Sequence, residues 1–321
     1  MKKIIFIANG FVGKKKNKKH ILSGGNRIWV EFFKKWREKA EILVFGSRSS
    51  FWLVEDFLNK NTDYLETDEE SICEDTISSF AICTIRAVAK GLSGVKRNWD
   101  RLKTYDFVYS VSDFYYDLIP AFWLKVRNKN IKWIAGFYLF APHPLSKETP
   151  YKGKNCLKGL FYWFTQRLSY YLVKRFADYV FVTSEPDVEK FITKKRDRSR
   201  IIVVQGGVDT TESEKYLKSG NAFPVEKRKY DGCFVGRFHY QKGVLELIDI
   251  WKKVCGKKEN CRLAMIGDGP LKDEVKNKIK KFGLENNIHL LGFKDGKEKY
   301  EIFKQSKIIL HPATYDSGGM A

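Results

Sequence analysis

The chain has 321 residues, of which 43% are apolar and 30% are charged. This length and composition predict two globular domains and exclude a disordered polypeptide, a collagen-like repeat and a small disulfide scaffold. The 59 Lys and Arg residues outnumber the 38 Asp and Glu residues, so the net charge of +21 predicts anionic partners: nucleic acid, anionic lipid or phosphorylated small molecules.

Short apolar runs alternate with longer amphipathic runs over the first two thirds of the chain. The predicted strands lie at 4–8, 41–45, 107–111, 131–139, 179–182 and 201–204, and the predicted helices at 29–36, 72–90, 115–126 and 157–176. The first of these helices follows from Trp29, Phe32, Phe33 and Trp36, whose spacing places them on one helical face.

A second alternating series follows a stretch with glycines, polar residues and Pro224, which predicts a linker at 211–228. The predicted strands of this series lie at 233–235, 263–266, 288–291 and 308–310, and the helices at 244–254, 271–282 and 297–306. Strands that alternate with helices form parallel sheets through right-handed crossovers. The sequence therefore predicts an α/β protein with two Rossmann-like domains, 1–210 and 229–321, whose sheets face each other across a ligand-binding cleft.

Signals for a membrane span, a disulfide framework and a metal site are weak. The most apolar stretch, 133–142, is about ten residues long, whereas a bilayer span needs roughly 20. The start resembles a signal peptide, but its apolar run at 4–8 is too short. The six cysteines form no Cys-x-x-Cys pair and are predicted to be free thiols in a reducing, cytoplasmic compartment. The five histidines lack metal-ligand spacing.

The segment 235–243 reads VGRFHYQKG and lies between a predicted strand and a predicted helix. Gly236 lets a ligand approach the backbone closely. Arg237 and Lys242 lie beside the amides of a helix N-terminus, which together form an anion site suited to a diphosphate. A solvated basic loop in a very basic protein is the alternative interpretation.

This segment opens an ordered set of motifs that resembles the donor domain of the family 4 glycosyltransferases, which have the GT-B fold. The set continues with IGDGPL at 266–271 and IHLLGF at 288–293. Upstream, ADYVFVTSE at 177–185 resembles the end of the family's acceptor domain, VQGGVD at 204–209 its domain-linking turn, and SGGN at 23–26 its glycine-rich first loop. The resemblance covers nearly the whole chain.

The resemblance implies a retaining glycosyltransferase whose donor is a nucleotide-diphosphate-sugar and which needs neither a metal nor another cofactor. The implied diphosphate-binding residues are Arg237, Lys242, Gly236, Gly24 and Gly25. The implied nucleotide-binding residues are Gly267, Asp268, Gly269, Phe293 and Lys294. The last two lie where the family packs and reads the nucleotide base.

The tail from 311 to 321 resembles the start of the family's paired-acid signature, in which a carboxylate is followed by seven residues and then a Glu. Asp316 takes the first position and is the implied catalytic carboxylate near the sugar. The second position falls at 324, so the resemblance predicts a C-terminally truncated chain whose second domain is incomplete.

Three further polar residues are candidates for the cleft. His143 follows the predicted strand at 131–139, where many relatives carry a sugar-contacting His, so it is a candidate catalytic residue; a simple loop histidine is the alternative. Asp113 and Asp117 either face the cleft or serve as capping and surface residues, and the sequence favours the second interpretation.

Two basic segments are candidates for contact with the acceptor or its membrane. Residues 14–19 read KKKNKK, and residues 158–176 interleave Lys and Arg with aromatic side chains. Such a surface suits an anionic membrane, although the aromatic residues of the second segment are also expected to pack in the core.

The sequence therefore predicts a cytoplasmic enzyme of cell-envelope biosynthesis, peripheral on the membrane, with a glycan or lipid-linked acceptor. A catalytically silent sugar-nucleotide binder is one alternative. A basic nucleic-acid-binding protein is another, but it lacks a helix-turn-helix, zinc or aromatic-sheet signature, so no nucleic-acid partner is expected. A nicotinamide dehydrogenase is disfavoured because no Gly-x-Gly-x-x-Gly follows the first strand.

Overall fold

A computed structural model of the chain describes residues 1–10, 24–68, 76–146, 149, 151, 153, 156–204 and 211–313. The chain divides into two compact units. The first comprises Met1–Ser146 and Gly153–Gly207, and the second comprises Lys147–Lys152 and Val208–Ala321.

The first unit is built on a seven-stranded sheet in the order β3-β2-β1-β4-β5-β6-β7, in which all described pairs are parallel. Its strands are β1 (Lys2–Ala8), β2 (Ala40–Ser47), β3 (Thr62–Asp68), β4 (Phe107–Ser110), β5 (Lys132–Gly136), β6 (Tyr179–Val182) and β7 (Ile201–Val203). Its helices are α1 (Gly24–Trp36), α2 (Arg48–Phe51), α3 (Ile77–Arg97), α4 (Trp99–Leu102), α5 (Tyr115–Arg127), α6 (Cys156–Phe176) and α7 (Val188–Phe191). The central strand β1 is buried from Ile4 to Ala8, as expected for a parallel strand covered on both faces.

The second unit has a four-stranded parallel sheet in the order β10-β9-β8-β11. Its strands are β8 (Tyr230–Val235), β9 (Leu263–Ile266), β10 (Ile288–Gly292) and β11 (Ser306–Leu310). Its helices are α8 (Thr211–Lys218), α9 (Val244–Cys255), α10 (Lys272–Lys281) and α11 (Gly296–Lys304). The predicted α/β class with two parallel sheets is confirmed.

Two local differences from the predicted elements have simple causes. Strand β3 was not predicted because its sequence, TDYLETD, lacks the apolar run of a buried strand; it lies at the sheet edge, where polar residues are tolerated. Helix α8 occupies the interval predicted as a linker, since TESEKYLK contains neither Gly nor Pro and favours a helix.

The cysteines differ from expectation at one position. Cys156, Cys233, Cys255 and Cys261 are free thiols, as predicted. Cys83 is disulfide-bonded, so the prediction of a free thiol is wrong there. Disulfide formation depends on how closely the Cα and Cβ atoms approach in space, which residue spacing does not report.

No helix among the described residues is both long enough and apolar enough to cross a membrane.

The buried guanidinium of Arg196 closes the end of helix α6. Its Nη1 donates to the carbonyl oxygens of Val173 (3.0 Å) and Ala177 (2.6 Å), and its Nη2 donates to that of Lys174 (3.0 Å). The Nε donates to the Phe191 carbonyl oxygen at 3.1 Å, which ties α7 to the same group. Burial lowers the pKa of Arg196 to about 10. A cation at a helix C-terminus satisfies the last carbonyl groups and interacts favourably with the helix dipole.

We expect Arg196→Met to lower the free energy of unfolding by about 3 kcal/mol, because it leaves several buried carbonyl groups without donors. Lys195→Met is the matched control, since Lys195 is exposed on the neighbouring position, and its effect is expected to stay within about 0.5 kcal/mol. Urea unfolding followed by circular dichroism measures both. Equal effects at the two positions would contradict a capping role for Arg196.

Candidate functional site

Three loops meet at the carboxyl edge of the second sheet, each following one of its strands. The amide of Gly236, just after β8, donates to the Ile266 carbonyl oxygen at 3.0 Å. The amide of Gly267, just after β9, donates to the Gly292 carbonyl oxygen at 2.9 Å. These bonds continue the parallel pairing beyond the strands, so the loops after β8, β9 and β10 are held side by side where α/β sheets bind their ligands.

Glycine is required in this loop cluster because the backbones touch. Gly267 has a φ of +147°, and a Cβ atom there would lie 1.9 Å from the Gly236 carbonyl oxygen. A Cβ atom on Gly269 would lie 2.5 Å from the Phe238 carbonyl oxygen. Phe238 itself is buried in the core and its amide donates to the Asp268 carbonyl oxygen at 2.9 Å. The predicted nucleotide-binding glycines therefore shape a turn that no other residue fits.

Two cations lie in the segment between β8 and helix α9. Arg237 is exposed and makes no hydrogen bond or ion pair with any described residue. Lys242 is half-buried in a short 3₁₀ turn, and Gly243 follows it in the left-handed region at φ +62°. The loop thus presents positive charge beside the N-terminal amides of α9, an arrangement that favours a bound anion.

The segment that follows β11 packs against the turn before α9. A Cβ atom on Gly243 would lie 2.5 Å from the Pro312 carbonyl oxygen, so the backbone at Pro312 packs directly against the turn before α9. Asp316 itself lies outside the described residues, and its catalytic role stays a prediction.

The other predicted nucleotide-binding residues, Asp268, Lys294 and Phe293, differ in their contacts within the protein. The Asp268 carboxylate accepts hydrogen bonds from the Gly269 amide at 2.8 Å and from Lys272 Nζ at 2.7 Å, so it stabilises its own turn. Lys294 forms an ion pair with Glu298 at 3.3 Å. Phe293 follows β10 with 48% of its surface exposed, an uncommon position for a large aromatic ring and one suited to stacking on a planar ligand.

The first unit carries a buried polar cluster at the corresponding edge of its own sheet. The Asp117 carboxylate accepts from the Asn9 amide at 2.6 Å and from Ser112 Oγ at 2.5 Å. The Asn9 side chain donates to the Tyr116 carbonyl oxygen at 2.9 Å and accepts from Thr67 Oγ1 at 2.5 Å. The cluster therefore joins the ends of β1, β3 and α5.

Both acidic residues that the sequence favours as capping or surface groups are buried, so that expectation is wrong. Asp117 is 1% exposed, and burial raises the pKa of its carboxyl to about 8 although its hydrogen bonds act in the opposite direction. Asp113 accepts from Gln166 Nε2 at 2.8 Å, and burial raises its pKa to about 6. Neither is the N-cap of α5, which is Phe114. Tertiary burial, invisible in local spacing, decides both environments.

The predicted glycines of the first loop lie in the first described turn of α1. That turn contains no acidic residue, which leaves its helix dipole uncompensated by side chains. A Cβ atom on Gly25 would lie 3.8 Å from the Tyr138 ring, and the Tyr138 hydroxyl is hydrogen-bonded to that of Tyr109. Gly25 is thus close to the side chain of Tyr138, which follows β5.

His143 lies on the surface of the first unit. Its ring packs edge-on against Trp163 of α6, with the centroids 5.4 Å apart, and its Nδ1 accepts a hydrogen bond from the Leu145 amide at 3.3 Å. These contacts are those of a loop histidine, the alternative that the sequence leaves open. Its catalytic role stays a prediction.

Sequence reasoning did not select Asn9, Tyr138 or Gln166. Asn9 is a polar residue directly after the buried strand β1, which is a usable signal for a residue at a sheet edge. Gln166 is a buried amide on the inner face of an aromatic-rich helix, and its Oε1 accepts from the Ala141 amide at 2.6 Å. Only the packing of α6 reveals that contact. Among the described residues, no cluster of three His, Cys, Asp or Glu side chains suits a metal ion.

The raised pKa of Asp117 predicts a pH dependence of stability. Unfolded Asp117 loses its proton near pH ~3.9, whereas the folded group keeps it to about pH 8, so the free energy of unfolding falls as the pH rises through this interval. Asp117→Asn removes this contribution, whose slope is at most about 1.4 kcal/mol per pH unit.

Chemical unfolding at several pH values measures this effect. Asp113 has a pKa of about 6, so it contributes less to the pH dependence above pH ~6. There the difference in the free energy of unfolding between wild type and Asp117→Asn reports on the Asp117 carboxyl. We expect that difference to change between about pH 6 and 8. Parallel curves over this range would contradict a buried, proton-retaining Asp117.

Part of the second unit matches a known protein family. Residues 218–321 match the family described as Glycosyl transferases group 1. An uncharacterized glycosyltransferase of Methanocaldococcus jannaschii, MJ1059, is 27% identical over 160 residues, which are 46% of this chain and 37% of that protein. The amylovoran biosynthesis glycosyltransferase AmsD of Erwinia amylovora is 37% identical over 142 residues, 44% of this chain and 38% of its own. The matches thus span little more than a third of either relative.

Solved structures resemble nearly the whole chain. Anabaena Alr3699/HepE, solved in complex with UDP, has a TM-score of 0.59 at 16% identity over 99% of this chain and 75% of its own. A protein of Listeria monocytogenes that was solved as a putative UDP-N-acetylglucosamine 2-epimerase has a TM-score of 0.54 at 12% identity, over 96% of this chain and 74% of its own. At these identities the likeness establishes the fold. The chain has the GT-B fold, and its residues 218–321 are similar to the family described as Glycosyl transferases group 1.

Proposed function

We propose that the chain is a retaining family 4 glycosyltransferase that transfers a sugar from a nucleotide-diphosphate-sugar to a glycan or lipid-linked acceptor. The observation that carries this proposal is the loop cluster of the second unit, in which Arg237 is exposed and forms no ion pair with a described residue. Retention of configuration follows from the resemblance to family 4.

The charge in this cluster suits the leaving group of the reaction. When the bond between the sugar and the diphosphate breaks, negative charge grows on the diphosphate. Arg237, Lys242 and the N-terminal amides of α9 are positioned before the reaction begins, so they stabilise that charge with little reorganisation. In this proposal the two cations do the work that a divalent metal does at other phosphate sites, and no metal is required.

The nucleotide is proposed to lie across the neighbouring loops. Gly267 and Gly269 keep the turn after β9 free of side chains, so the backbone is open to a close ligand. The exposed Phe293 ring offers an apolar surface for the base, and backbone groups near Lys294 read its edge. Gly24, Gly25, His143 and Asp316 keep the roles that the family resemblance implies.

The GT-B fold by itself is shared with a UDP-N-acetylglucosamine 2-epimerase. The family match at residues 218–321 and the 37% identity to AmsD support transfer rather than epimerisation. Because AmsD is named for amylovoran biosynthesis, a cell-envelope glycan is the acceptor class that we propose first.

Binding of UDP-, GDP- and ADP-sugars, measured by isothermal titration calorimetry, tests the donor site. We expect one class to bind, and we expect Arg237→Ala to weaken that binding by at least about tenfold, because an unpaired cation contacts a charged phosphate. Lys242→Ala is expected to act in the same direction. Lys276→Ala removes an exposed lysine of α10 and is the matched control, with no expected effect.

Failure of every nucleotide sugar to bind, or equal binding by wild type and Arg237→Ala, would refute the proposed donor site. Binding without transfer or hydrolysis would instead identify a catalytically silent sugar-nucleotide binder. Product analysis by NMR separates a transferred sugar from an epimerised one.

We further propose that the protein acts on the cytoplasmic face of an anionic membrane and contacts it through helix α6. Five large apolar side chains of this helix are exposed at spacings of three and four residues, which places them on one stripe: Leu157, Leu160, Phe164, Leu168 and Tyr171. A soluble protein seldom exposes a contiguous apolar surface of this kind without a partner.

The charges of α6 support a lipid partner. Its sequence contains no acidic residue, and it carries Arg167, Lys174 and Arg175 along its second half. The Arg167 guanidinium lies over the Trp163 ring at 4.6 Å, and Lys174 Nζ donates to the Tyr170 hydroxyl at 3.0 Å. Basic side chains beside exposed aromatic and aliphatic groups suit the boundary between phospholipid headgroups and acyl chains.

Co-sedimentation with phosphatidylcholine vesicles, with and without phosphatidylglycerol, tests this surface. We expect binding to require phosphatidylglycerol, and the double variant Phe164→Glu, Leu168→Glu to bind at least about tenfold more weakly, since two apolar side chains no longer enter the interface. Leu217→Glu in α8 is the matched control, because Leu217 is equally exposed but lies in the second unit. Unchanged binding by the double variant would refute the α6 surface.

A further inference from the structure

A cavity of about 240 Å³ lies inside the first unit, between α3, the start of α5 and α6. Most of its wall is apolar, formed by the side chains of Phe80, Ala81, Ile85, Phe114, Phe161 and Tyr162. The donor site described above belongs to the second unit and shares none of these residues. The lining also includes the polar residues Tyr115, Thr165 and Gln166, whose side chains hydrogen-bond within the protein. Few groups are therefore left to hold a glycan, whose hydroxyl groups each need a partner.

Aromatic contacts hold the wall of this cavity in shape. The Phe80 ring meets Phe114 at a centroid distance of 6.2 Å and Phe161 at 6.5 Å, both edge-to-face. Phe114 stacks with Tyr162 at 6.1 Å. The wall is therefore preformed. An apolar cavity of about 150 Å³ is already large enough to bind benzene, so the larger volume here admits a segment of hydrocarbon chain.

Two polar groups of the lining could meet a ligand. Thr84 Oγ1 is buried and has no hydrogen-bond partner among the described residues. The buried Asp113 carboxyl also lines the cavity, and its described side-chain partner is Gln166. A single hydroxyl or other small polar group on a ligand would satisfy Thr84, so the lining suits an apolar chain that bears one polar group.

The mouth of the cavity joins the exposed apolar surface of the unit. Ile85 lines the cavity and is 68% exposed, so the cavity reaches the solvent at this residue. On the other side Phe161 lines the wall, and Leu157 and Phe164, one helical turn away in either direction, belong to the exposed stripe of α6. A chain that leaves a bilayer in contact with α6 therefore meets apolar surface up to the cavity.

We propose that this cavity binds the hydrocarbon chain of a lipid, with the polar group of the lipid towards Asp113 and Thr84. The inference deepens the proposed membrane function and rests on the α6 surface, not on the donor site. It favours a lipid-linked carrier of the cell-envelope glycan as the acceptor and gives α6 two roles, one face on the membrane and the adjacent face on a lipid chain.

Titration with 1-octanol, followed by calorimetry, tests the cavity directly. We expect 1-octanol to bind the wild-type protein and Ala81→Phe to weaken that binding by at least about tenfold, because the added phenyl ring fills the space. Ala89→Phe is the matched control, since Ala89 is an exposed residue of the same helix outside the cavity, and its affinity is expected to equal that of the wild type.

A second variant keeps the proposal testable if Ala81→Phe does not fold. Phe161→Ala enlarges the cavity, and we expect it to shift the preferred ligand from 1-octanol towards 1-decanol or 1-dodecanol. Failure of 1-octanol to bind the wild type, equal binding by Ala81→Phe, or an unchanged chain-length preference in Phe161→Ala would each overturn the proposal.

A parallel titration with the nucleotide sugar that binds the wild type separates this proposal from the proposed donor site. All three variants lie outside the donor loops, so their nucleotide-sugar affinity is expected to be unchanged. Octanol binding without nucleotide-sugar binding would refute the donor site alone. Nucleotide-sugar binding without octanol binding would refute the lipid cavity alone.

Discussion

The close approach of Gly267 to the Gly236 carbonyl oxygen is the constraint on which the candidate donor site depends. With a φ of +147° and no space for a Cβ atom, Gly267 lets the loop after β9 lie directly on the loop after β8. Backbone hydrogen bonds from Gly236 and Gly267 then extend the parallel pairing past the strand ends. Arg237 and Phe293 reach the same sheet edge because these loops cannot separate.

The first unit organises its sheet edge by burying polar groups instead. Asn9, Ser112 and Asp117 satisfy one another by hydrogen bonds, and Gln166 joins Asp113 to the loop after β5. Buried networks of this kind stabilise a fold only when their members are paired, and they select one arrangement of the surrounding helices. The raised pKa values of both carboxyl groups are a consequence of that burial.

Helix α6 contributes both to the packing of the first unit and to its proposed membrane-binding surface. Its inner face supplies Gln166 to the buried network, its end is closed by Arg196, and its outer face exposes large apolar side chains next to basic ones. A helix with apolar side chains on both faces does not look amphipathic in sequence. The sequence therefore favoured a core role for its aromatic residues, which holds for Tyr170 and Phe176, which pack against the core, but not for Phe164 and Tyr171, which are exposed.

The sequence by itself determined the α/β class, the two parallel sheets, most strands and helices, and the loop that carries Arg237 and Lys242. These features are local, since strand burial, helical spacing and glycine turns act over a few residues. Tertiary structure alone decided that Asp113 and Asp117 are buried, that Cys83 is disulfide-bonded, that α6 presents an apolar outer face and that a cavity lies beneath it. These depend on which distant segments pack together, and residue spacing within one segment does not contain that information.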